Sequence, residues 1–297
     1  MGQGGGNSGG DRSSGEGKAA GYGLGAVDTV ISVDDVVRDA QALALEGPDP
    51  SALEALLTGA PALTIDALDA GYGQMQILHG FNLRVGAGQS LCLIGPNGAG
   101  KSTVLHSIYG FTRIFGGAIR AGTHDVTRMS ANDKLKRAGI AYILQDNSVF
   151  PDMTVEENLW MGGYLMGRTG RAREAAEKVF QKYPRLAERR SQPARVLSGG
   201  ERRLLEISRA LVMEPGILLV DEPSIGLEPR FIDQVFEILA DLQKTEGKTI
   251  IMVEQNAKKG LEFADLGYVL VSGQLAKVGR GDDLLEDPEV GRLFLGG

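Results

Sequence analysis

"SLCLIGPNGAGKSTVL", residues 90–105, decides how the rest of the chain is read. It opens with a continuous apolar run, the mark of a strand covered on both faces, and ends in residues that start a helix near Lys101. A glycine-rich turn therefore stands where a strand hands over to a helix. Gly95, Gly100, Lys101 and Ser102 fit the pattern G-x-x-x-x-G-K-[ST], and the loop runs Gly95, Pro96, Asn97, Gly98, Ala99, Gly100, Lys101, Ser102, Thr103. Bare backbone lets N–H groups wrap phosphates, Lys101 is placed for the β and γ phosphates, and the Ser102 hydroxyl can ligate Mg²⁺.

Outward from this loop the pattern is one of strands and helices in alternation. "ALTIDAL" (62–68) and "FNLRV" (81–85) alternate polar with apolar, and "GAGQ" (86–89) supplies a turn before the buried strand. Downstream, "GIAYIL" (139–144), "GILLVDEP" (216–223) and "KTIIMVEQ" (248–255) are three more apolar strands. Ile232, Val235, Phe236, Leu239 and Leu242 form a helical stripe between the last two. Such alternation predicts an α/β core on a mainly parallel sheet. Residues from roughly 150 to 210 read instead as a helical insertion, with Thr154 and Glu157 as a capping box. The strand ending "ILLVDEPS" delivers Asp221 and Glu222 to the sheet's C-terminal edge, beside the phosphate loop. Asp221 is expected to serve the metal through water. Glu222 is then free to polarise an attacking water, a general-base role worth about 10²- to 10⁴-fold in rate.

Composition narrows the function classes. Among 297 residues, no apolar run approaches the roughly 20 needed to span a bilayer as a helix, so a membrane role is expected to go through a partner. A net charge of −7 argues against binding nucleic acid by phosphate neutralisation, and none is expected as a partner. The single cysteine, Cys92, reads as a small buried core residue, and the three histidines show no paired ligand spacing. No apolar stretch near the start resembles a secretory signal, so a cytoplasmic location is expected.

The Gly/Ser-rich residues 1–26 read as a flexible tail that cannot bury enough surface to offset chain entropy. Residues 27–60 hold two short amphipathic helices, the second opened by a Ser51–Glu54 capping box, and residues 61–297 form the main domain.

A second helix start, "LSGGE" (197–201), carries the last signal. Ser198 and Glu201 make a capping box, but Gly199 and Gly200 each weaken a helix by about 1 kcal/mol relative to Ala. The expected compensation is close approach of bare backbone to something negative. With the phosphate loop expected to hold its own nucleotide and a long helical insertion between the two motifs, this helix start is expected to serve the nucleotide of another subunit.

With these motifs in this order, residues from about 62 to 297 resemble the ATP-binding-cassette family, whose signature LSGGQ is here LSGGE. The resemblance implies an α/β fold with a P-loop NTPase core of mainly parallel sheet, an antiparallel β part and the helical insertion. It implies ATP and Mg²⁺ as cofactors. Two cassettes, identical or different, pair head to tail and sandwich two ATP molecules between the phosphate loop of one and Ser198, Gly199, Gly200 and Glu201 of the other. Tyr72 resembles the aromatic that stacks on adenine, and Gln145 the glutamine that reaches metal and water while touching the membrane permease. "SIGLEP" (224–229) resembles the loop that crosses the dimer. Where most members have a His that contacts the γ-phosphate, this chain has Gln255, which can donate a hydrogen bond but cannot become cationic. "VEQN" (253–256) and "ADLGYVL" (264–270) look most like ATPase subunits of branched-chain amino acid importers, with urea and amide importers as close relatives. The implied setting is the inner face of the cell membrane, with permeases as direct partners and a solute-binding protein as an indirect one. The rival class, a non-transport ABC ATPase acting on DNA or ribosomes, would bring long coiled coils or a second cassette in the chain, and neither is present in the sequence. Arg202 and Arg203, just after the signature, are expected either to steer a partner's ATP or to lie on a solvated face.

Overall fold

The computed structural model describes residues 1–2, 47–145, 148–167 and 169–295. The Gly/Ser-rich tail and the first expected helix lie outside the described residues.

The central sheet has six strands: β3 (Ser90–Ile94), β6 (Ile140–Ile143), β7 (Ile217–Asp221), β8 (Thr249–Val253), β9 (Leu266–Val271) and β10 (Gln274–Arg280). Their order is β10-β9-β3-β8-β7-β6. All neighbours pair parallel except β10, which runs antiparallel along β9. Every residue of β3, β7 and β8 is buried, which is why these segments read as unbroken apolar runs. Side chains alternate between faces. Leu91, Leu93, Leu219, Ile251 and Val253 enter one core, while Cys92, Ile94, Leu218, Val220, Ile250 and Met252 enter the other.

The first core is closed by helix α2 (Lys101–Tyr109) and by a four-stranded antiparallel sheet. That sheet is β1 (Pro61–Tyr72), β2 (Met75–Gly86), β4 (Arg113–Ala121) and β5 (His124–Asp125), in the order β2-β1-β4-β5. Helices α8 (Pro229–Lys244) and α9 (Ala257–Phe263) cover the second core through Val235, Leu239, Leu242 and Leu261. The predicted stripe on α8 is thus its buried face, with Ile232 and Phe236 half-buried at its edge. Helix α3 (Ala131–Ala138) leads into β6, and α10 (Gly281–Glu286) and α11 (Pro288–Phe294) follow β10.

Between β6 and β7 sits the helical insertion: α4 (Val155–Gly162), α5 (Thr169–Lys182), α6 (Pro184–Ala187) and α7 (Gly199–Leu211). It has a core of its own, built by Val155, Leu159, Ala176, Phe180, Leu186 and Leu205. Thr154 and Glu157 cap α4 reciprocally, as the spacing predicts.

One local expectation fails. Helix α1 (Pro50–Ala55) is capped by Asp49, whose carboxylate accepts from Ser51 N at 2.7 Å, and not by Ser51. Pro50 explains the choice: its fixed φ and missing N–H suit the first helical position, which places the cap one residue earlier. Glu54 is thereby released and pairs with Arg84 of β2 at 2.8 Å, while Leu53 packs into the first core.

Candidate functional site

The glycine loop sits at the C-terminal edge of β3, and its conformation explains its composition. Gly95 has φ +144°, and a Cβ there would lie 2.1 Å from the Leu270 carbonyl oxygen. Gly100, the N-cap of α2, has φ +101°, a left-handed conformation that L side chains rarely adopt. Pro96, Asn97 and Gly98 are exposed, whereas Ala99 and Thr103 are buried and anchor the loop. The Lys101 ammonium donates to the carbonyls of Gly95 at 2.8 Å and Pro96 at 3.0 Å, so it lies across the mouth of the loop. Burial pulls its pKa down, and the carboxylates of Glu222 and Asp221 oppose that pull.

Three further segments converge on the same edge. Asp221, at the end of β7 and buried, accepts from Ser102 Oγ at 3.2 Å and from Tyr142 Oη of β6 at 2.7 Å. Glu222 follows with φ +43°, a left-handed conformation rare for a residue with a side chain, held by its N–H bond to Val253 O at 2.9 Å. Its Oε2 accepts from Gln145 Nε2 at 3.0 Å. Gln255 lies exposed in the bend two residues after Val253, the last residue of β8, which pairs with β7. Lys101, Ser102, Gln145, Asp221 and Glu222 therefore form one cluster drawn from three segments.

Among the described residues no group of three His, Cys, Asp or Glu could hold a metal ion alone. The donors here are all hard oxygens: Ser102 Oγ, the Asp221 carboxylate and the Gln145 amide oxygen. That set suits Mg²⁺, which keeps several waters and takes its remaining ligands from one or two carboxylates and from phosphate oxygens.

Tyr72 stands at the end of β1 and is 43% exposed. Its hydroxyl lies 2.5 Å from His106 Nδ1 on α2, and the His106 ring is edge-on to it. His106 also packs on Tyr142. Burial pulls the imidazole pKa down and pushes the Tyr142 phenol up, so both rings are neutral near pH 7 and Tyr142 remains a donor to Asp221. Sequence reading missed both residues. The signal available was positional: His106 lies one helical turn and a residue beyond Lys101, and Tyr142 is the polar member of an apolar run, residues 140–144, that leads into Gln145.

The signature segment stands apart from this cluster. Ser198 and Glu201 cap α7 reciprocally, and Glu201 also pairs with Arg189 at 3.6 Å. Burial is not what holds Gly199: it is exposed, and among the described residues an added Cβ would meet only Leu227 Cδ2 at 3.7 Å. Gly200 differs. A Cβ there would lie 2.5 Å from Phe231 Cδ1, so packing against α8 accounts for this glycine within one chain, contrary to the single explanation expected for both. Arg203 also departs from both expectations. It is 4% exposed and forms an ion pair with Glu206 at 2.8 Å, neither solvated nor presented to a partner, while Arg202 is exposed. Trp160 is half-buried against the insertion's core, with the Arg173 guanidinium 4.6 Å from its ring centroid.

A five-stranded parallel run with a phosphate loop at a strand-to-helix junction defines the P-loop nucleotidase class. The ABC transporter family model matches residues 78–225. The chain is 40% identical over 235 residues to the high-affinity branched-chain amino acid transport ATP-binding protein BraG of Pseudomonas aeruginosa, covering 79% of this chain and 100% of BraG. It is 34% identical to the probable branched-chain amino acid transport ATP-binding protein LivF of Archaeoglobus fulgidus, covering 77% of this chain and 96% of LivF. A nucleotide-free ATP-binding cassette from an ABC transporter superposes with TM-score 0.70 at 28% identity, over 78% of this chain and 98% of that one. The chain belongs to the ABC transporter ATP-binding family. It is an ATPase subunit of a transport system, and no helix among its described residues is long and apolar enough to cross a membrane.

Proposed function

We propose that this subunit binds Mg-ATP between its own phosphate loop and the signature of a second cassette, and drives import of branched-chain or other small amino acids through membrane permeases. The observation that carries the site assignment is the convergence of Lys101, Ser102, Gln145, Asp221 and Glu222 at one sheet edge. In this reading Tyr72 stacks on adenine while the backbone of residues 95–103 wraps the phosphates. Lys101 turns from the Gly95 and Pro96 carbonyls to the β and γ phosphates. Ser102, Gln145 and, through water, Asp221 hold Mg²⁺, which when bound neutralises charge on the transferring phosphoryl group. Tyr142 and Ser102 fix the Asp221 carboxylate, and Glu222 takes the proton of the attacking water. Gln255 donates a hydrogen bond to the γ-phosphate. Ser198, Gly199, Gly200 and Glu201 complete the pocket around the partner cassette's nucleotide, because an exposed capped helix start offers free N–H groups to an anion.

Closure of the two cassettes passes to the permease through Gln145 and the helical insertion, where Leu144, Phe150 and Tyr164 expose apolar surface. The solute class follows from the names of BraG and LivF, and the subunit sits on the inner face of the membrane through its permease. Residues 61–297 carry all of this, as the single ATPase domain.

The Glu222→Gln variant tests the arrangement: saturated with Mg-ATP, it is expected to form a stable dimer by light scattering, alone or with a co-expressed companion cassette. A strictly monomeric variant under both conditions would refute the shared pocket.

A further inference from the structure

The segment that leaves β6 toward Gln145 has a structural problem. β6 is the edge strand of the central sheet, so among the described residues the carbonyls of Leu144 and Gln145, just past it, have no further strand to pair with. Arg203 supplies the missing donor. Its Nη1 donates to Leu144 O at 2.8 Å and, more weakly, to Gln145 O at 3.4 Å, while the same atom pairs with Glu206 Oε2 at 2.8 Å. Both side chains lie on α7, five and eight residues beyond Ser198, and are 4% and 6% exposed. Among the described residues, Arg203 Nε and Nη2 are buried without a hydrogen-bond partner. A buried ion pair left with two unsatisfied nitrogens is a poor way to stabilise a helix, since apolar replacements of similar volume are often neutral or better. Its contribution is therefore sought in what Nη1 touches.

We propose that Arg203 is a positioning residue: the buried Arg203–Glu206 pair ties the signature helix to the backbone at Gln145, so that α7 sets whether the Gln145 amide meets Glu222. The chain of contacts is continuous, from Ser198 down α7 to Arg203, across to Gln145 O, and from Gln145 Nε2 to Glu222 Oε2 at 3.0 Å. A partner nucleotide that engages Ser198 and Gly199 then reports through α7 to the general base of this chain's own site. The inference rests on the proposed roles of Gln145 and Glu222.

The test is a set of steady-state ATPase and melting measurements on Arg203→Met/Glu206→Leu, Arg203→Lys, Gln145→Ala and the triple combination. The double variant is expected to melt within about 2 °C of wild type or above it. Its kcat is expected to fall about tenfold with KM for ATP within about twofold, and the same pair of substitutions is expected to add little to the loss that Gln145→Ala causes alone. Arg203→Lys, which keeps the charge and can reach one carbonyl, is expected to retain an intermediate kcat and serves as the reading if the double variant does not fold. An unchanged kcat in the variant measured, or losses that multiply with that of Gln145→Ala, would overturn the proposal. Either result, alongside a Glu222→Gln variant that still dimerises on ATP, would leave the shared-pocket reading intact; a monomeric Glu222→Gln would sink that reading instead.

Discussion

Neighbouring glycines of the signature should answer to the same substitution in opposite ways, and the geometry says by how much. Both sit in the first turn of α7, and neither has positive φ, so alanine fits either backbone. At Gly199 the new methyl would meet nothing among the described residues closer than 3.7 Å. Gly199→Ala should therefore stabilise the isolated subunit by about 0.5–1 kcal/mol through lower chain entropy in the unfolded state, a rise in Tm of about 2–3 °C. At Gly200 the methyl would stand 2.5 Å from the Phe231 ring, an overpacking that costs about 1–3 kcal/mol against a similar propensity gain. Gly200→Ala should then be neutral to destabilising, and shrinking the ring in Gly200→Ala/Phe231→Leu should recover the difference. Activity should not follow stability. If Gly199 keeps the helix start bare for a partner's phosphate, its methyl displaces that contact and kcat should fall about 10²-fold despite the raised Tm. Scanning fluorimetry gives the first number and phosphate release in the assembled transporter the second. A Gly199→Ala subunit that hydrolyses ATP at the wild-type rate would refute the argument, because nothing among the described residues needs that glycine.

Two other perturbations bear on different parts of the molecule. Gln255→His should leave ATP affinity unchanged, since both side chains can donate one hydrogen bond; loss of ATP-induced dimerisation, scored in the Glu222→Gln background, would show that position 255 is misassigned. Lys134 is fully buried on α3, with its ammonium 3.3 Å from Ser107 O near the end of α2, and burial pushes it from its ordinary 10.5 down to about 8. Because the unfolded chain binds this proton more tightly, Lys134 lowers stability at neutral pH, and the deficit shrinks as pH rises from about 8 to about 10.5. Relative to Lys134→Met, the wild type should gain up to about 3 kcal/mol across that window by urea unfolding, whereas parallel curves for the two proteins would show that the ammonium is not desolvated.

What could be read in advance was what the chain encodes locally. The run Ser90–Ile94 is buried on both faces and the loop after it needs glycine where φ is positive, so strand, turn and helix are all written within sixteen residues. Asp221 was legible for the same reason, as the polar end of an apolar strand. Local chemistry also misled where two caps competed: Ser51 fits the capping-box spacing, and only the effect of Pro50 on the first turn selects Asp49. The antiparallel sheet was harder. β1 and β2 carry register shifts between Ile65 and Leu68 and again near Ala70, which break the two-residue period, and β4 contains Gly116 and Gly117 in its middle.

Arg203 marks a different kind of limit. A charged residue next to a signature reads as surface because an amphipathic helix exposes half its circumference, yet α7 buries the unbroken run Arg203, Leu204, Leu205, Glu206, Ile207 and Ser208. It is enclosed by β6, α4, α6 and α8 together. No period in the sequence announces that enclosure, since it arises only when the insertion folds back on the sheet edge it interrupts. The same folding that hides Arg203 brings it to the carbonyls of Leu144 and Gln145, 59 and 58 residues away along the chain. Motifs tell which groups can meet a nucleotide; the contacts proposed to decide when they do so are long-range, and in this subunit they run through a buried charge that local sequence assigns to the surface.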